Sequence, residues 1–335
     1  MANVSEPQRP KEHWIPALVL GGFSSDVDRA KPRDRRLCFR HRHETAPRVT
    51  GAKNLAYSRG LYDWDTAEPF AGVDIDMLDD TFNPYERKLP AAFREVQASR
   101  NFIHFEPWMR ALVPYVAGLT VRAPEYEKRI TEGTVGVLVQ HSRWMEMSRS
   151  VAPLMAADWC LLAAPENARF IINDRGFAWT EDRDNDRVGL LIPIMATHAL
   201  VVLPRSERLI AGLNSNGCWM TAVPRIQETA DGVARANAAI AHDAVSWFAG
   251  AEANDVATQN FGQPDLGLAP LGYSWPALGA LGSHDRDWAA AAAYAGLTTD
   301  KDDWQPSGIF SSIEPGVRRE VTPNGLAIQI SFLRP

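Results

Sequence analysis

The sequence predicts an α+β fold: a mainly helical N-terminal half packed on a small antiparallel or mixed sheet, with an appended C-terminal segment. Residues 74–99 predict the helical part, because their apolar side chains recur every three or four residues, as in an amphipathic helix. Short β-rich apolar runs between residues 159 and 203, bounded by Pro, Asn-Asp and Gly, predict the sheet. After residue 260 the chain is rich in Gly, Pro, Ala and Trp and shows little periodicity. We therefore expect one domain over residues 11–260 and an appended segment over residues 261–335.

The composition is that of a chain that can bury a hydrophobic core. It has 335 residues, of which 45% are hydrophobic. The three cysteines, Cys38, Cys160 and Cys218, lie far apart without a C-x-x-C spacing, which indicates neither a disulfide framework nor a thiolate zinc site. No apolar run of about 18 residues is present, and residues 1–12 do not resemble a secretion signal. These features predict a cytoplasmic protein with no membrane partner.

The first part of the chain is expected to begin with a frayed end and to continue with short elements. Residues 1–12 offer no periodic apolar face, so ordered structure should begin near His13. Residues 14–20 fit a short strand or a helical turn, and Pro16 suits a helix start or a strand edge. Residues 36–42 alternate apolar and charged side chains, as a half-exposed strand does, and residues 48–64 predict a strand and a turn.

Helical patterns follow. The segment 74–99 is expected to be kinked or broken at Pro84 and Pro90. Residues 105–119 also repeat their apolar side chains with a helical period. A further helix is expected to begin at Pro124, because proline is favoured at the first helical position.

The second half of the chain predicts strands and then one long helix. The strand-like runs are 159–163, 170–173, 189–194 and 199–203, with 208–213 as a further candidate. Residues 226–249 contain no proline and are rich in alanine, so they predict a helix with Val233, Ile240, Ala244 and Trp247 on its apolar face. Residues 326–332 predict a final strand.

The charge distribution is uneven. The formal net charge of -6 argues against a protein that coats nucleic acid without sequence preference, because such binding needs cationic groups. Between Arg29 and Arg59, however, the chain carries ten Lys and Arg residues against two acidic ones. This basic tract either binds nucleic acid or another phosphate-bearing ligand, or it is a solvated loop that pairs with the acidic helix after it.

The stretch from Lys11 to Phe23 carries the strongest functional signal. His13, Pro16, Leu20 and Phe23 form an H-x-x-P-x-x-x-L-x-x-F pattern, which places one imidazole in an otherwise apolar run. A sheltered histidine can transfer protons near neutral pH or bind a metal. The alternative is a structural histidine that is hydrogen-bonded to the backbone.

Other candidate site residues are polar or aromatic side chains around this stretch. Asn54 either holds a substrate phosphate and orients His13 or forms an Asx turn. Tyr62 is a candidate substrate-binding residue whose alternative is a core position with a tethered hydroxyl. Trp14 and Trp64 are candidates for stacking on a nucleic-acid base, whereas most of the tryptophans are expected in the core.

Two acids and one arginine complete the candidate catalytic set. Glu86 is a metal ligand or general base, or it forms an exposed ion pair within its helix. Arg122 precedes Ala-Pro at a helix start, where it either grips a phosphate or carboxylate or pairs with a helix acid such as Glu125. Asp174 follows an apolar run and either presents a carboxylate to solvent or metal, or forms a turn with Asn173.

Taken in order, these motifs resemble an uncharacterised bacterial family, the domain of unknown function 4238. The resemblance covers roughly residues 11–255 and rests on the His13 to Phe23 pattern, the Asn54 to Tyr62 segment, the Glu86 helix, Arg122-Ala123-Pro124, Phe170 to Asp174 and the Asn237 helix. The family typically shows Asp-x-Pro after the second strand, whereas Asp174 is followed here by Arg175-Gly176. The resemblance implies no activity, so the functional hypothesis rests on the residues.

Two functional hypotheses from different classes follow. The first is a cytosolic hydrolase acting on phosphodiesters, nuclease-like, such as a toxin or defence effector, with His13, Glu86, Arg122 and Asp174 in acid/base or metal-assisted catalysis. A divalent metal is a possible cofactor. The second is a non-catalytic protein-binding or scaffold module, because no Walker loop, G-x-S-x-G, H-E-x-x-H or Rossmann glycine motif is present.

Overall fold

The structure is a computed structural model in which strands contribute about as many residues as helices. The residues that it describes are 11–26, 31–59, 61–62, 77–98, 108–131, 139–140, 142–143, 146–147, 150, 154, 157–182, 187–203, 218–221, 223, 225–264, 316–322 and 325–331. The expectations for residues 1–10, for Trp64 and for the candidate strand 208–213 lie outside these ranges. Among the described residues, no helix is both long enough and apolar enough to cross a bilayer.

The predicted architecture, a mainly helical N-terminal half on one small sheet, is wrong. Residues 11–59 form four strands: β1 and β4 pair with each other, whereas β2 and β3 form a sheet with later parts of the chain. The helical period of residues 74–99 correctly indicates helices there, but it does not apply to residues 11–59, whose strands are short and irregular. The strand bounds are β1 Lys11–His13, β2 Arg36–His41, β3 Arg48–Gly51, β4 Tyr57–Arg59, β5 Asp158–Ala163, β6 Ile172–Asn173, β7 Ala178–Asp182, β8 Arg187–Met195, β9 His198–Leu203, β10 Cys218–Thr221, β11 Arg225–Gln227, β12 Trp247–Gly250, β13 Gly316–Thr322 and β14 Gly325–Ser331.

The N-terminal segment is a strand followed by a helical turn. β1 pairs antiparallel with β4, with His13 opposite Tyr57. Helix α1 spans Ala17–Leu20, and the Pro16 carbonyl accepts hydrogen bonds from the amides of Val19 and Leu20. Of the two alternatives for residues 14–20, a short strand or a helical turn, the structure shows the helical turn, and Pro16 directly precedes it.

A four-stranded sheet combines distant parts of the chain in the order β3-β2-β12-β6. β2 pairs antiparallel with both β3 and β12, so residues 36–41 lie between the local strand and one that follows more than 200 residues later. Helix α7, Ala253–Ala257, follows β12 and packs against it and β2. The predicted strand over residues 36–42 is confirmed.

The five-stranded sheet has the order β11-β5-β9-β8-β7. Its strands are antiparallel neighbours, except that the edge strand β11 runs parallel to β5. β8 is buried along residues 189–195, which explains its almost uninterrupted apolar sequence. Most of the strand-like runs predicted between residues 159 and 203 belong to this sheet.

The helices between residues 77 and 131 pack into the core beside these sheets. Their bounds are α2 Met77–Glu86, α3 Leu89–Ala98, α4 Val113–Arg122 and α5 Pro124–Thr131. The predicted long helix is thus broken between Glu86 and Leu89, and Pro84 lies inside α2. α4 is buried on nearly all sides, and it ends before Pro124 because the residue that precedes a proline disfavours the helical conformation.

The helix predicted over residues 226–249 is wrong at both ends. Helix α6 spans only Ala230–His242, with the Thr229 hydroxyl accepting from the Gly232 amide at its start. Trp247, expected on its apolar face, instead begins β12. All four residues of β12 are buried, so this strand shows no alternation that would distinguish it from a buried helix.

Buried asparagines join α6 to the strands. The Asn237 side chain accepts from the amide of Ile171 and donates to the carbonyl of Arg169, replacing a neighbouring strand at that edge. Asn173 Nδ2 donates to the carbonyls of Ile240 and Phe177. These bonds satisfy backbone groups that would otherwise be buried without a partner.

The C-terminal strands form a separate three-stranded sheet in the order β10-β14-β13. β14 pairs with β13 and with β10, and it coincides with the predicted final strand. The predicted division into residues 11–260 and 261–335 stays a prediction. Phe261 nevertheless packs on the core, with its ring centroid 4.5 Å from that of Phe248.

The turn after β6 explains why this chain has Arg175-Gly176 after Asp174. Gly176 has φ +76°, and its amide donates to the Asn173 carbonyl. A Cβ at Gly176 would lie 2.7 Å from Leu119 Cδ2. Both the backbone conformation and the close approach of α4 therefore require glycine.

We predict that Gly176→Ala lowers the free energy of unfolding by about 2–4 kcal/mol, from left-handed backbone strain and overpacking. Urea denaturation measures the loss. Gly51→Ala is the matched control, because Gly51 has φ −82° and its Cβ would meet only Asn54 at 3.6 Å. Equal effects of the two substitutions would contradict this account of the turn.

Candidate functional site: the Arg122 cluster and His13

Arg122, the last residue of α4, lies at the centre of a buried polar cluster. Its side chain is buried, and all three of its nitrogens donate hydrogen bonds. Nε donates to the Tyr62 hydroxyl and Nη1 to the Tyr85 hydroxyl, each at 3.1 Å, and Nη1 also forms an ion pair with Glu86. Nη2 donates to the His13 backbone carbonyl at 2.6 Å.

Aromatic packing holds this guanidinium in place. Its Cζ lies 4.2 Å from the centroid of the Phe82 ring, a distance at which a cation interacts favourably with the ring face. Gly118, one helical turn before Arg122, gives Tyr85 its access, because a Cβ at Gly118 would lie 2.5 Å from the Tyr85 hydroxyl. Burial raises the pKa of Tyr85 above its usual range, so its hydroxyl stays neutral.

The sequence placed Arg122, Glu86, Tyr62 and His13 in one candidate site, and the structure brings them together. Their arrangement differs from the expectation, however. Glu86 pairs with Arg122 rather than within its own helix, and Arg122 does not pair with Glu125. Because the guanidinium is buried and bonded through each nitrogen, it positions its neighbours and does not face a ligand.

The His13 side chain is half-buried. It does not take part in the hydrogen bond between the His13 backbone carbonyl and Arg122. Nε2 lies 3.3 Å from the Lys53 carbonyl, which can only accept, so the neutral ring carries its proton on Nε2 and its lone pair on Nδ1. Burial lowers the pKa of His13 below 6.5, the Lys53 carbonyl opposes this, and the Arg122 charge lowers it further. The ring is therefore mainly neutral at pH 7.

Exposed polar side chains surround the imidazole. We call Lys11, Lys53, Asn54 and Tyr57 the His13 rim. Lys11 Nζ donates to Asn54 Oδ1 at 3.4 Å and lies 4.1 Å from the Tyr57 ring centroid, which in turn is 5.8 Å from the His13 ring. Lys53 Nζ pairs with Asp34 at 3.0 Å. The Lys11 ammonium is thus close enough to lower the pKa of the imidazole, whereas Lys53 contacts His13 through its backbone carbonyl.

Asp174 does not join this cluster through its carboxylate. Oδ1 accepts from the Val245 amide at 2.9 Å, and Oδ2 accepts from the amides of Ser246 and Trp247. The carboxylate therefore closes the turn before β12, and the expectation that it faces solvent or a metal is wrong because the group is buried and engaged. Burial raises the pKa of Asp174 to about 6, although the three amides act in the opposite direction.

Trp14 connects the chain around His13 with that around Asp174, and its ring is not available for stacking on a base. Its Nε1 donates to the Asp174 carbonyl at 2.7 Å, and its ring is partly buried against the core. The expected base-stacking role of Trp14 therefore has no support in its position. Its indole instead connects the chain next to His13 with the turn after β6.

The basic tract is divided between structural and exposed positions. Arg40 donates to the carbonyls of Ala257 and Gln259, and Arg42 donates to those of Val245, Ala244 and Gly262. These two arginines hold the chain after α7 against β2. Of the tract, Lys31, Arg33, Arg36, Arg48, Lys53 and Arg59 are exposed in the described region, whereas Arg40 is buried and Arg35 and Arg42 are partly buried.

Within the described residues, no three His, Cys, Asp or Glu side chains group in a way that could hold a metal ion. Cys38 and Cys160 are free thiols there, and burial raises the pKa of Cys160 to about 11. The sequence analysis missed Tyr85, Lys53 and Tyr57. Tyr85 stands one residue before Glu86 and was readable only as a core aromatic, because its partner lies in another helix.

We predict that Arg122→Leu lowers the free energy of unfolding by about 3–5 kcal/mol, because it leaves buried partners such as Glu86 unpaired. Denaturant unfolding measures the change. The control Arg169→Ala removes an exposed arginine that pairs with Glu252 at 3.3 Å, and it should cost at most about 1 kcal/mol. A loss in Arg122→Leu no larger than that of the control would refute the central role of Arg122.

Asp174 predicts a distinct pH dependence. Its pKa is about 6 in the folded chain and 3.8 ordinarily, so the folded state binds the proton more tightly and this contribution to stability is lost as pH rises through about 4 to 6. Asp174→Asn lacks the titrating group. The stability difference between wild type and this variant should therefore fall by about 3 kcal/mol across that window. Parallel urea titrations measure it, and a constant difference would contradict the raised pKa.

Comparison with protein families, with curated proteins and with solved structures finds no match to this chain. Its functional interpretation therefore rests on the geometry of the Arg122 cluster, His13 and the His13 rim.

Proposed function

We propose that the chain is a cytosolic, nuclease-like hydrolase acting on phosphodiesters, with His13 as its general base. The observation that carries the proposal is a half-buried imidazole with a lowered pKa beside the His13 rim. A neutral imidazole at pH 7 can accept a proton, and ammonium groups such as Lys11 Nζ are suited to a phosphate. This combination supports general-base attack of water on a phosphodiester.

In this mechanism His13 Nδ1 removes a proton from a water molecule while the water oxygen attacks phosphorus. The bond from phosphorus to the leaving oxygen breaks, and that oxygen receives a proton from the imidazolium or from solvent. The Lys53 carbonyl orients the ring through Nε2. Lys11 and Asn54 hold the phosphate oxygens, and Arg122 positions His13 through its backbone carbonyl.

The exposed cations near the rim favour a polymeric substrate within this class. Lys31 precedes the Pro32–Asp34 turn and Arg33 lies within it, and this turn packs against the Ala52–Asn54 turn that carries Lys53. A nucleic-acid strand would extend from the His13 rim onto these side chains. A role as a toxin or defence effector is one setting in which such a nuclease acts.

We also propose membership of the domain of unknown function 4238 family. The structure gives each position of the motif a physical role: Pro16 starts α1, and Leu20 and Phe23 are fully buried. His13 is the one position of the pattern that faces the polar rim. The motif therefore combines a folding function with a candidate catalytic one.

A second candidate function is a non-catalytic protein-binding or scaffold module. It is favoured by the engagement of Arg122 and Asp174 within the protein and by exposed apolar residues on sheet edges. Val49 on β3 is 62% exposed and Ile226 on β11 is 48% exposed, and each strand is at the edge of its sheet. Exposed edges of this kind can pair with a strand of a partner.

The test is cleavage of plasmid DNA, RNA and bis(p-nitrophenyl) phosphate with Mg²⁺, Mn²⁺ or a chelator. We predict that His13→Gln reduces the rate by about 100-fold or more, as loss of a general base does. His43→Gln is the matched control, because His43 is exposed in the same part of the chain. The rate of the wild type should rise with pH to an inflection below 6.5.

Equal rates for wild type and His13→Gln would remove His13 from the mechanism. If purified wild type cleaves none of the substrates above the level of buffer, the hydrolase proposal fails and the binding module is the better description.

A further inference from the structure

Arg143 is a second buried arginine, and the proposed activity does not use it. Its side chain is 0% exposed and lies in a helical part of the chain next to the break between α4 and α5. Nη1 donates to the carbonyls of Val121, in the last turn of α4, and of Ala123, which precedes α5. This contact explains how the side chain is fixed, but it uses only one nitrogen.

The other two nitrogens form a fork that no protein acceptor of the described residues binds. Among the described residues, Arg143 Nε and Nη2 have no hydrogen-bond acceptor although both are buried. Nε–H and one Nη2–H point in the same direction, and this edge of a guanidinium binds two oxygens of a carboxylate or phosphate side by side. We call it the Arg143 fork. A fork left empty in the interior is costly, because each N–H has lost its water.

The charges around the fork also favour an anion. Tyr62 and Tyr126 present their rings to the guanidinium, with centroids 5.7 and 5.1 Å from Cζ. Burial lowers the pKa of Arg143, and the Arg122 charge lowers it further. Glu86 is bonded to Arg122, so its charge is already engaged. Among the described residues, the Arg143 charge thus has a long ion pair with Glu127 but no hydrogen-bonded carboxylate.

Glu127 is the carboxylate that comes nearest. Its Oε2 lies 3.8 Å from Arg143 Nη2, which is beyond hydrogen-bonding distance, and its side chain is 44% exposed. Solvent thus reaches the group that stands in front of the fork. Movement of Glu127 toward solvent would open the fork to a ligand of small size.

We propose that the Arg143 fork is a binding site for a small oxyanion, a phosphate or carboxylate group, and that Glu127 covers this site when it is empty. The ligand places two oxygens on Nε and Nη2, and the tyrosine rings flank it. The site is independent of the proposed hydrolase activity, since it uses neither His13 nor its rim.

The experiment is thermal unfolding of the full chain in increasing inorganic phosphate or acetate, with chloride at matched ionic strength. Wild type should show a rise in Tm of about 3 °C at ten times the dissociation constant, and above that constant Tm should grow with the logarithm of the anion concentration. A response to phosphate identifies a phosphate group and a response to acetate a carboxylate. Arg143→Lys keeps the charge but loses the fork, so it should abolish the rise. Arg169→Lys, at an exposed arginine paired with Glu252, should keep it.

Glu127→Gln keeps the proposal testable if Arg143→Lys does not fold. Removing the competing carboxylate should lower the half-saturating anion concentration several-fold, and isothermal titration calorimetry measures it directly. An unchanged half-saturating concentration in Glu127→Gln overturns the proposal. So does a wild-type response retained in Arg143→Lys, or the absence of any such response to either anion, in which case Glu127 itself is the partner of Arg143.

Discussion

The buried guanidinium of Arg122 is the constraint on which the N-terminal half depends. A cation in the interior must be surrounded by acceptors, and Arg122 obtains them from β1, α2 and the chain after β4. These elements are short and have few backbone hydrogen bonds to one another. Their relative positions are therefore fixed by one side chain and by the aromatic rings around it, including Phe82. The position of the His13 ring follows from this arrangement, because the carbonyl of the same residue is bound to Arg122.

At the turn before β12 the buried group is an acid instead of a cation: a carboxylate is surrounded by hydrogen-bond donors. Asp174 accepts from three successive amides, and its own carbonyl accepts from Trp14. Asn237 and Asn173 satisfy the backbone of neighbouring strands in a similar way. The molecule thus relies on single polar side chains where its strands are too short to complete regular ladders. This explains why several candidate functional residues prove to be structural.

Local features of the fold were predictable from the sequence, and long-range partners were not. Pro16 is compatible with the start of α1, and the alternation in residues 36–42 predicts β2, because both patterns depend on neighbouring residues only. The preference of Arg122 for Glu86 over Glu125 depends on how α2 packs beside α4, which no spacing reveals. Trp247 was assigned to a helix because β12 is buried on both faces and follows an alanine-rich run. The sequence predicts only part of the candidate site for the same reason. His13 and Arg122 have recognisable chemistry, whereas Tyr57 reaches His13 through the pairing of β1 with β4, and Lys53 reaches it from the Ala52–Asn54 turn.

The contacts of Arg40 and Arg42 have a consequence for the order in which the protein matures on the ribosome. Arg42 bonds to Gly262, 220 positions later in the chain, and β2 also awaits β12 as its neighbour. The residues that are synthesised first therefore lack these partners until most of the polypeptide has emerged. Contacts of such long sequence separation also form slowly. During that interval the nascent N-terminal strands offer open edges, which makes translation speed and chaperone access relevant to the yield of native molecules.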